Sequence, residues 1–541
     1  MRRSNARSPG FDQRVNMDSS KLQSRSRALQ FNLYPRFLSP FSKHGRKNMW
    51  IITSAAAVTI SFFVLVYIVF GAFRPYVSQG YGIVIDGGST GTRIHVFHFV
   101  EDNGKLVLDL KNGGWASMKV NPGLSSFSED PESSRISLHE LLEFAKRKIS
   151  KNHWGETEVR LMATAGLRRL DAEVQERILK CCRSVLKSSG FRFKDDWASV
   201  IMGADEGIYA WVAANYALGT LGGDPLQTTG IIELGGASAQ VAFVSSEPLP
   251  PEFLHTVKFG KVTYNLYSHS LLDFGQNVAY DSLRETILSR DLKLSTRSVS
   301  ERVSKDPCIP RGYQSSVVPI NQSTNANLQV TVHASGNFSE CRSAALMLLQ
   351  KGKDECTYQR CHIGSSFIPT LQGKFLATEN FVYTSKFFGL PSTAFLSDLM
   401  LAGQKFCEQD RLYQRRKDKH LQEEDPMHYC FSSAYIVALL HDSLGVALND
   451  DRIEFANEVG GIPIDWALGA FVLQRTANMG VAHPNRIVDI IRDESSTLLS
   501  LFVVSAILLF SVWSVSKWRK PQLKTIYDLE KGRYIVTRVN R

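Results

Sequence analysis

Apolar and polar positions follow two rhythms along residues 81–290. Runs of β-branched residues at 82–86, 93–100, 106–110, 158–164 and 199–203 predict short strands. Residues 138–150 and 170–188 carry the helical period. In the second, Leu170, Val174, Ile178, Cys181 and Val185 recur every three or four positions, which leaves one buried face. GADEGIYAWVAANYALG, 203–219, predicts a helix with Asp205 and Glu206 in its first turn, where the dipole favours acids. A strand region and a helix are expected over 253–289, and helices over 393–409, 432–445 and 463–475. Residues 290–340, rich in Ser, Lys, Arg and Asn, read as an irregular insertion. The class is α/β.

One pattern occurs twice. IVIDGGSTGTRIHVF (83–97) and GIIELGGASAQVAFV (230–244) each run an apolar strand into an acid, a Gly-Gly pair, hydroxyls and a second strand. The acids, Asp86 and Glu233, lie 147 residues apart. Such a repeat predicts two lobes of similar plan. Lobe I spans 74–228 and lobe II 229–460, the latter holding a disulfide-rich insertion; a helix in 461–490 returns to lobe I.

The apolar runs 50–70 and 497–516 carry no charge over about twenty residues, the length a hydrocarbon core demands. A transmembrane helix is therefore expected at each end, with membrane lipid as partner through two spans. Net charge is +11, but the basic excess sits in the tails: 11 Lys/Arg against 2 Asp in 1–49, and 8 against 2 acids in 517–541. The region between the spans is net acidic, which removes the nucleic-acid reading of a basic chain. By the positive-inside rule both tails are cytoplasmic. An integral membrane protein results, with its main region in the Golgi or endomembrane lumen or outside the cell. All eight cysteines fall in that region. Cys308–Cys341, Cys356–Cys361 and Cys407–Cys430 are spaced as neighbours that could pair in an oxidising compartment, with connectivity left open. Vicinal Cys181 and Cys182 fit a helix, unpaired. Sequons at Asn321 and Asn337 lie on the same side.

The two turns carry candidate chemistry. Gly87, Gly88 and Gly91 let a ligand approach the backbone, whose N–H groups form an anion nest, and Ser89, Thr90 and Thr92 add donors. Gly235, Gly236, Ala237 and Ser238 offer the same. A carboxylate directly before each nest would repel phosphate unless a divalent cation bridges them through retained waters. The pair therefore describes a site for a cation-bound nucleotide polyphosphate. Neither a Walker A sequence nor HExxH occurs in the chain.

Five blocks in order resemble the apyrases, or nucleoside triphosphate diphosphohydrolases: IVIDGGSTGTRIHVF, ATAGLRRL (163–170), GADEGIYAWVAANYALG, IIELGGASAQ (231–240) and IDWALGAF (464–471). KVNPGLSSF, DPCIPRGY and YCFSSAYIVALL also match, over about residues 81–480, and the arrangement of apolar ends resembles the membrane-bound plant type with two spans. The resemblance implies two RNase H-like lobes of the actin/Hsp70/sugar-kinase superfold with a cleft between them. It implies hydrolysis of nucleoside tri- and diphosphates by direct attack of water, with Ca²⁺ or Mg²⁺ as cofactor. Glu206 matches the group that polarises the water, Ser238 and Gln240 groups that hold it, and Thr164 a hydroxyl near it. Asp86 and Glu233 match metal carboxylates acting through water. Ser89 and Arg93 match phosphate-side groups; Trp466 supports the cleft, and Tyr383 is a candidate for base stacking. Glu233 departs from the family's usual Asp, and its extra methylene moves the carboxylate by roughly 1.5 Å. A Golgi nucleoside diphosphatase and a non-catalytic nucleotide-binding membrane protein remain alternatives. Nucleobase preference and oligomeric state are left open by the sequence.

Overall fold

The structure is a computed structural model. It describes residues 77–481 apart from 103–104, 111–112, 295–301, 314–315, 321–327, 360 and 410–426, with 53–66 (less 55 and 65), 503–513 (less 512) and 523–538. Asn321 and the tail 1–49 lie outside the described residues.

Lobe I is built on strands β1 (Val77–Gly87), β2 (Thr92–Asp102), β3 (Lys105–Leu108), β4 (Trp115–Val120), β5 (Glu158–Ala163) and β6 (Ala198–Val200), in the order β3-β2-β1-β5-β6 with β4 also on β2. β1 and β2 form an antiparallel hairpin, and β1, β5 and β6 run parallel. Lobe II repeats the plan with β7 (Gly230–Leu234), β8 (Ser238–Val244), β9 (Leu254–Phe259) and β10 (Val262–Leu272). The strands Phe375–Glu379 and Ile453–Phe455 lie parallel to β7 on its other side. The hairpins superpose by register: Asp86 pairs with Arg93 across the first, and Glu233 with Gln240 across the second.

Both central strands are apolar on both faces because both faces are covered. Ile83 and Ile85 pack against the helices Ser134–Lys148 and Ala172–Lys187. Val84 faces the other way, into a core shared with Ile231 of β7. Between the sheets lie the helices Gly203–Leu218 and Trp466–Val481, whose residues Trp211, Ala213, Leu468 and Val472 fill that shared core. Gly469 makes this packing possible, since an added Cβ would run into the Tyr209 carbonyl oxygen. Gly469→Ala is expected to cost about 1–3 kcal/mol through overpacking, seen as a lower melting temperature; an unchanged melting curve would show that the two helices can move apart freely.

Three expectations change. Among the described residues no helix is long and apolar enough to cross a membrane. The spans expected at 50–70 and 497–516, and contact with lipid through them, are therefore corrected: helix is described there only within 53–66 and 503–513. At 1.5 Å per residue a span needs about twenty helical residues, more than any apolar helix among the described residues supplies. The 290–340 segment is not wholly irregular, because Arg302–Asp306, Ser316–Ile320 and Leu328–Ala334 form a small three-stranded sheet. β4, too, has no counterpart among the expected strands. Cys308–Cys341, Cys356–Cys361 and Cys407–Cys430 are bonded, while Cys181 and Cys182 are buried, free thiols on a helix. Asn337 caps the helix Phe338–Leu349, its Oδ1 accepting from the Glu340 N–H at 3.2 Å.

Candidate active site

The two glycine hairpins meet. A Cβ built on Gly236 would lie 2.6 Å from Thr90 Cγ2 and 2.8 Å from Ser89 Oγ, so the turns of the two lobes touch across a shared crevice and only a glycine fits there. Asp86, Ser89, Thr90 and Arg93 line the crevice from lobe I, and Glu233 and Gly235–Ser238 from lobe II. Thr164 enters because β5 runs parallel to β1: Gly87 pairs with Ala163, and the next residue donates its N–H to the Gly87 carbonyl at 3.1 Å.

Glu206 reaches the same crevice from the N-terminal turn of its helix, with only 7% of its surface exposed. Burial raises its carboxyl above the usual range, partly offset by Arg168, whose Nη2 donates to Oε2 at 2.8 Å. Arg168 also donates to the Ile201 carbonyl, so the guanidinium is fixed by backbone. Ser270 joins the cluster: its Oγ lies 3.3 Å from Gln240 Nε2, and Gln240 Nε2 in turn donates to Ser238 Oγ at 2.6 Å. With its Oγ accepting from Gln240, the Ser238 hydroxyl keeps its own hydrogen to donate. Gln240 thus acts behind Ser238. Gly87 and Thr92 are part of the hairpin but do not line the crevice; Thr92 is wholly buried.

Asp86 and Glu233 are held well above the usual carboxylate range, chiefly by burial and then by the surrounding acids. One oxygen of each, Asp86 Oδ1 and Glu233 Oε2, is buried without a hydrogen-bond partner. Two orphaned carboxylate oxygens facing one crevice fit a cation. Among the described residues no three His, Cys, Asp or Glu side chains converge closely enough to ligate one directly, so the fit is to a hydrated ion held through its waters.

Four lining or anchoring residues escaped the sequence reading: Lys119, Arg168, Glu379 and Asp465. Three sat inside matched blocks (Lys119 in KVNPGLSSF, Arg168 in ATAGLRRL, Asp465 in IDWALGAF), so block membership was the available signal. Asp465 caps the helix of Trp466, its Oδ1 accepting from the Ala467 N–H at 2.9 Å, and takes Arg93 Nη1 on Oδ2 at 3.2 Å. Burial would raise the Asp465 carboxyl, but the charge of nearby His95 when protonated, the Arg93 guanidinium and this N–H keep it below the usual range. Buried His95, 3.5 Å away, is itself pushed towards its neutral form by desolvation, so Arg93 is the partner that counts. Trp466 is buried at the crevice wall, ring-stacked on Tyr209 at 6.4 Å. Tyr383 is 42% exposed and lies outside the lining, with its hydroxyl against Glu379 and Arg93.

Residues 76–483 match the model of the GDA1/CD39 (nucleoside phosphatase) family. The chain is 52% identical over its whole length, and that of the relative, to probable apyrase 6 of Arabidopsis thaliana. It is 49% identical to probable apyrase 4 of the same plant, over 80% of this chain and 87% of that one. Among solved structures, a nucleoside triphosphate hydrolase from Neospora caninum superposes with a TM-score of 0.56 at 17% identity, over 79% of this chain and 97% of that one, which is a likeness of fold.

Proposed function

Since the chain belongs to the GDA1/CD39 nucleoside phosphatase family, we propose that its crevice hydrolyses nucleoside tri- and diphosphates by direct attack of water, with residue roles that follow from the geometry above. The chain is a hydrolase acting on acid anhydrides, in keeping with its family and its probable apyrase relatives. The observation that carries the residue roles is the meeting of the two hairpins at Gly236 and Thr90 with the Glu206 carboxylate in the same crevice.

The backbone N–H groups and hydroxyls of the two turns hold the phosphate chain from both lobes. Glu206, pinned by Arg168, orients the attacking water and accepts its proton. Ser238, set by Gln240, supplies a second contact to that water or to the phosphate oxygen. Thr164 offers a hydroxyl from the lobe I side. Arg93 and Lys119 face the phosphate charge. Asp86 and Glu233 would hold a divalent cation, Ca²⁺ or Mg²⁺, through its waters; when bound, it offsets charge on the phosphoryl oxygens. Holding the ion through water, Glu233 would accommodate its added methylene relative to Asp.

Three disulfides in the catalytic unit favour an oxidising compartment, the lumenal or extracellular side.

Product stoichiometry tests the reaction class. ATP is expected to yield two phosphates and stop at AMP, and ADP one, because AMP offers a phosphomonoester and no anhydride. Phosphate released from AMP at a comparable rate would overturn the assignment.

A further inference from the structure

Glu379 has no role in the reading above, yet the fold treats it unusually. It ends the strand Phe375–Glu379 and caps the helix Asn380–Phe387 with φ 59° and ψ −116°, a conformation suited to glycine. Strain of this kind persists where surrounding contacts impose it, and it gathers at functional sites. Two contacts impose it here. The Glu379 N–H donates to Asn457 Oδ1 at 2.7 Å, and Asn380 Nδ2 donates to the Leu234 carbonyl, next to the lobe II turn, at 2.7 Å.

The side chain does not cap its own helix. It lines the crevice instead, as Arg93 of lobe I does, near enough for the two opposite charges to act on one another. A sharp strand-to-helix turn of this shape serves to display one side chain over a site. The duplicated fold gives the same position a counterpart. Thr164 caps the helix that follows β5, the strand parallel to β1, and Glu379 caps the helix that follows the strand parallel to β7. Lobe I thus presents a hydroxyl at this turn and lobe II a carboxylate.

We propose that Glu379 is a positioning residue for the hydrolysis: displayed on the strained turn of lobe II in the crevice that the Arg93 guanidinium of lobe I also lines, it holds that guanidinium electrostatically alongside Asp465. Arg93 is a long side chain whose conformational freedom must be lost before it can meet a phosphate oxygen. Asp465 holds it at one nitrogen, at 3.2 Å. A second carboxylate, from the other lobe, restricts the direction of the guanidinium further. The inference rests on the proposed function only in taking Arg93 as a phosphate contact.

A double-mutant cycle on the full chain decides it, with steady-state hydrolysis of ATP and ADP, the Kd for ADP with Ca²⁺, and the melting temperature measured for each protein. Glu379→Gln is expected to lower kcat/KM about tenfold, within the range seen for coupled neighbours, mainly through a higher KM. In the Arg93→Ala background the same substitution is expected to change kcat/KM and Kd by less than about twofold. Glu379→Gly, which relieves the strained turn, is expected to lose the same activity while melting no lower than the wild-type chain. Multiplying effects in the double variant, an unchanged KM in Glu379→Gln, or a Glu379→Gly chain that melts lower and retains activity would each overturn the proposal. A wild-type chain that binds ADP but releases no phosphate would overturn the hydrolase reading alone, and the cycle in Kd would still decide the coupling.

Discussion

Glu206→Gln is expected to lower kcat by about 10²–10⁴-fold, the contribution of a positioned general base, while the Kd for nucleotide changes little. Glutamine keeps the volume and one carbonyl oxygen for Arg168 Nη2, so the fixed guanidinium and the helix turn stay in place. What it loses is the capacity to take the proton of water. The carboxylate is suited to this task because two environments oppose one another at it: burial lifts its pKa and Arg168 holds it down. The result is a base stronger than an exposed glutamate. Single-turnover phosphate release beside nucleotide binding checks the prediction, and a variant with unaltered turnover would remove Glu206 from the mechanism.

Chelation is expected to have the next largest effect. Excess EDTA should reduce turnover by about 10²–10³-fold, matching the several kcal/mol that a cation contributes to a charged transition state. The same carboxylates make stability respond to pH. Asp86 and Glu233 have folded-state pKa values raised well above those of the unfolded chain. As pH rises, the unfolded chain therefore loses these protons first. Their contribution to stability is complete below the ordinary carboxylate values near 4 and is lost as pH climbs through the raised folded values. Chelated protein should accordingly melt lower at pH 7.5 than at pH 5.5. Added Ca²⁺ should restore the loss, more at the higher pH, because a ligand bound to the folded state stabilises it by mass action. Asp465 works in the opposite window, since its lowered pKa contributes stability that disappears as pH falls through it. Equal turnover with and without EDTA would show that Asp86 and Glu233 do not serve a cation.

Much of the crevice was legible along the chain because its chemistry is local. Asp86 to Arg93 and Glu233 to Gln240 form two continuous hairpins, and acid, glycines and hydroxyls within eight residues declare a phosphate turn without knowledge of the fold. Glu206 was visible through its helix start and the block around it. Glu379 was not. Its importance lies in a backbone conformation and a parallel-strand register that no short motif encodes, and a glutamate beside an asparagine reads as an ordinary solvated pair. Arg168 and Asp465 were hidden in the same way: each stands in a recognisable block, yet an arginine or an aspartate acquires a role only from the group it meets 38 or 372 residues away. Hydropathy at the two ends measures composition over a window, whereas a span also requires a long continuous helix, and among the described residues no helix is long and apolar enough to cross a membrane.

By itself the sequence determined the α/β class, the duplicated lobes, the two phosphate turns and the candidate base, because strand periodicity, glycine turns and dipole-favoured acids are properties of neighbouring residues. The tertiary structure alone decided which carboxylates share one crevice, which cation holds which acid, and that a turn of positive φ puts Glu379 in the crevice wall. Those are Coulombic and hydrogen-bonding relations over a few ångströms of space, and strand register and the two helices buried between the sheets create that proximity.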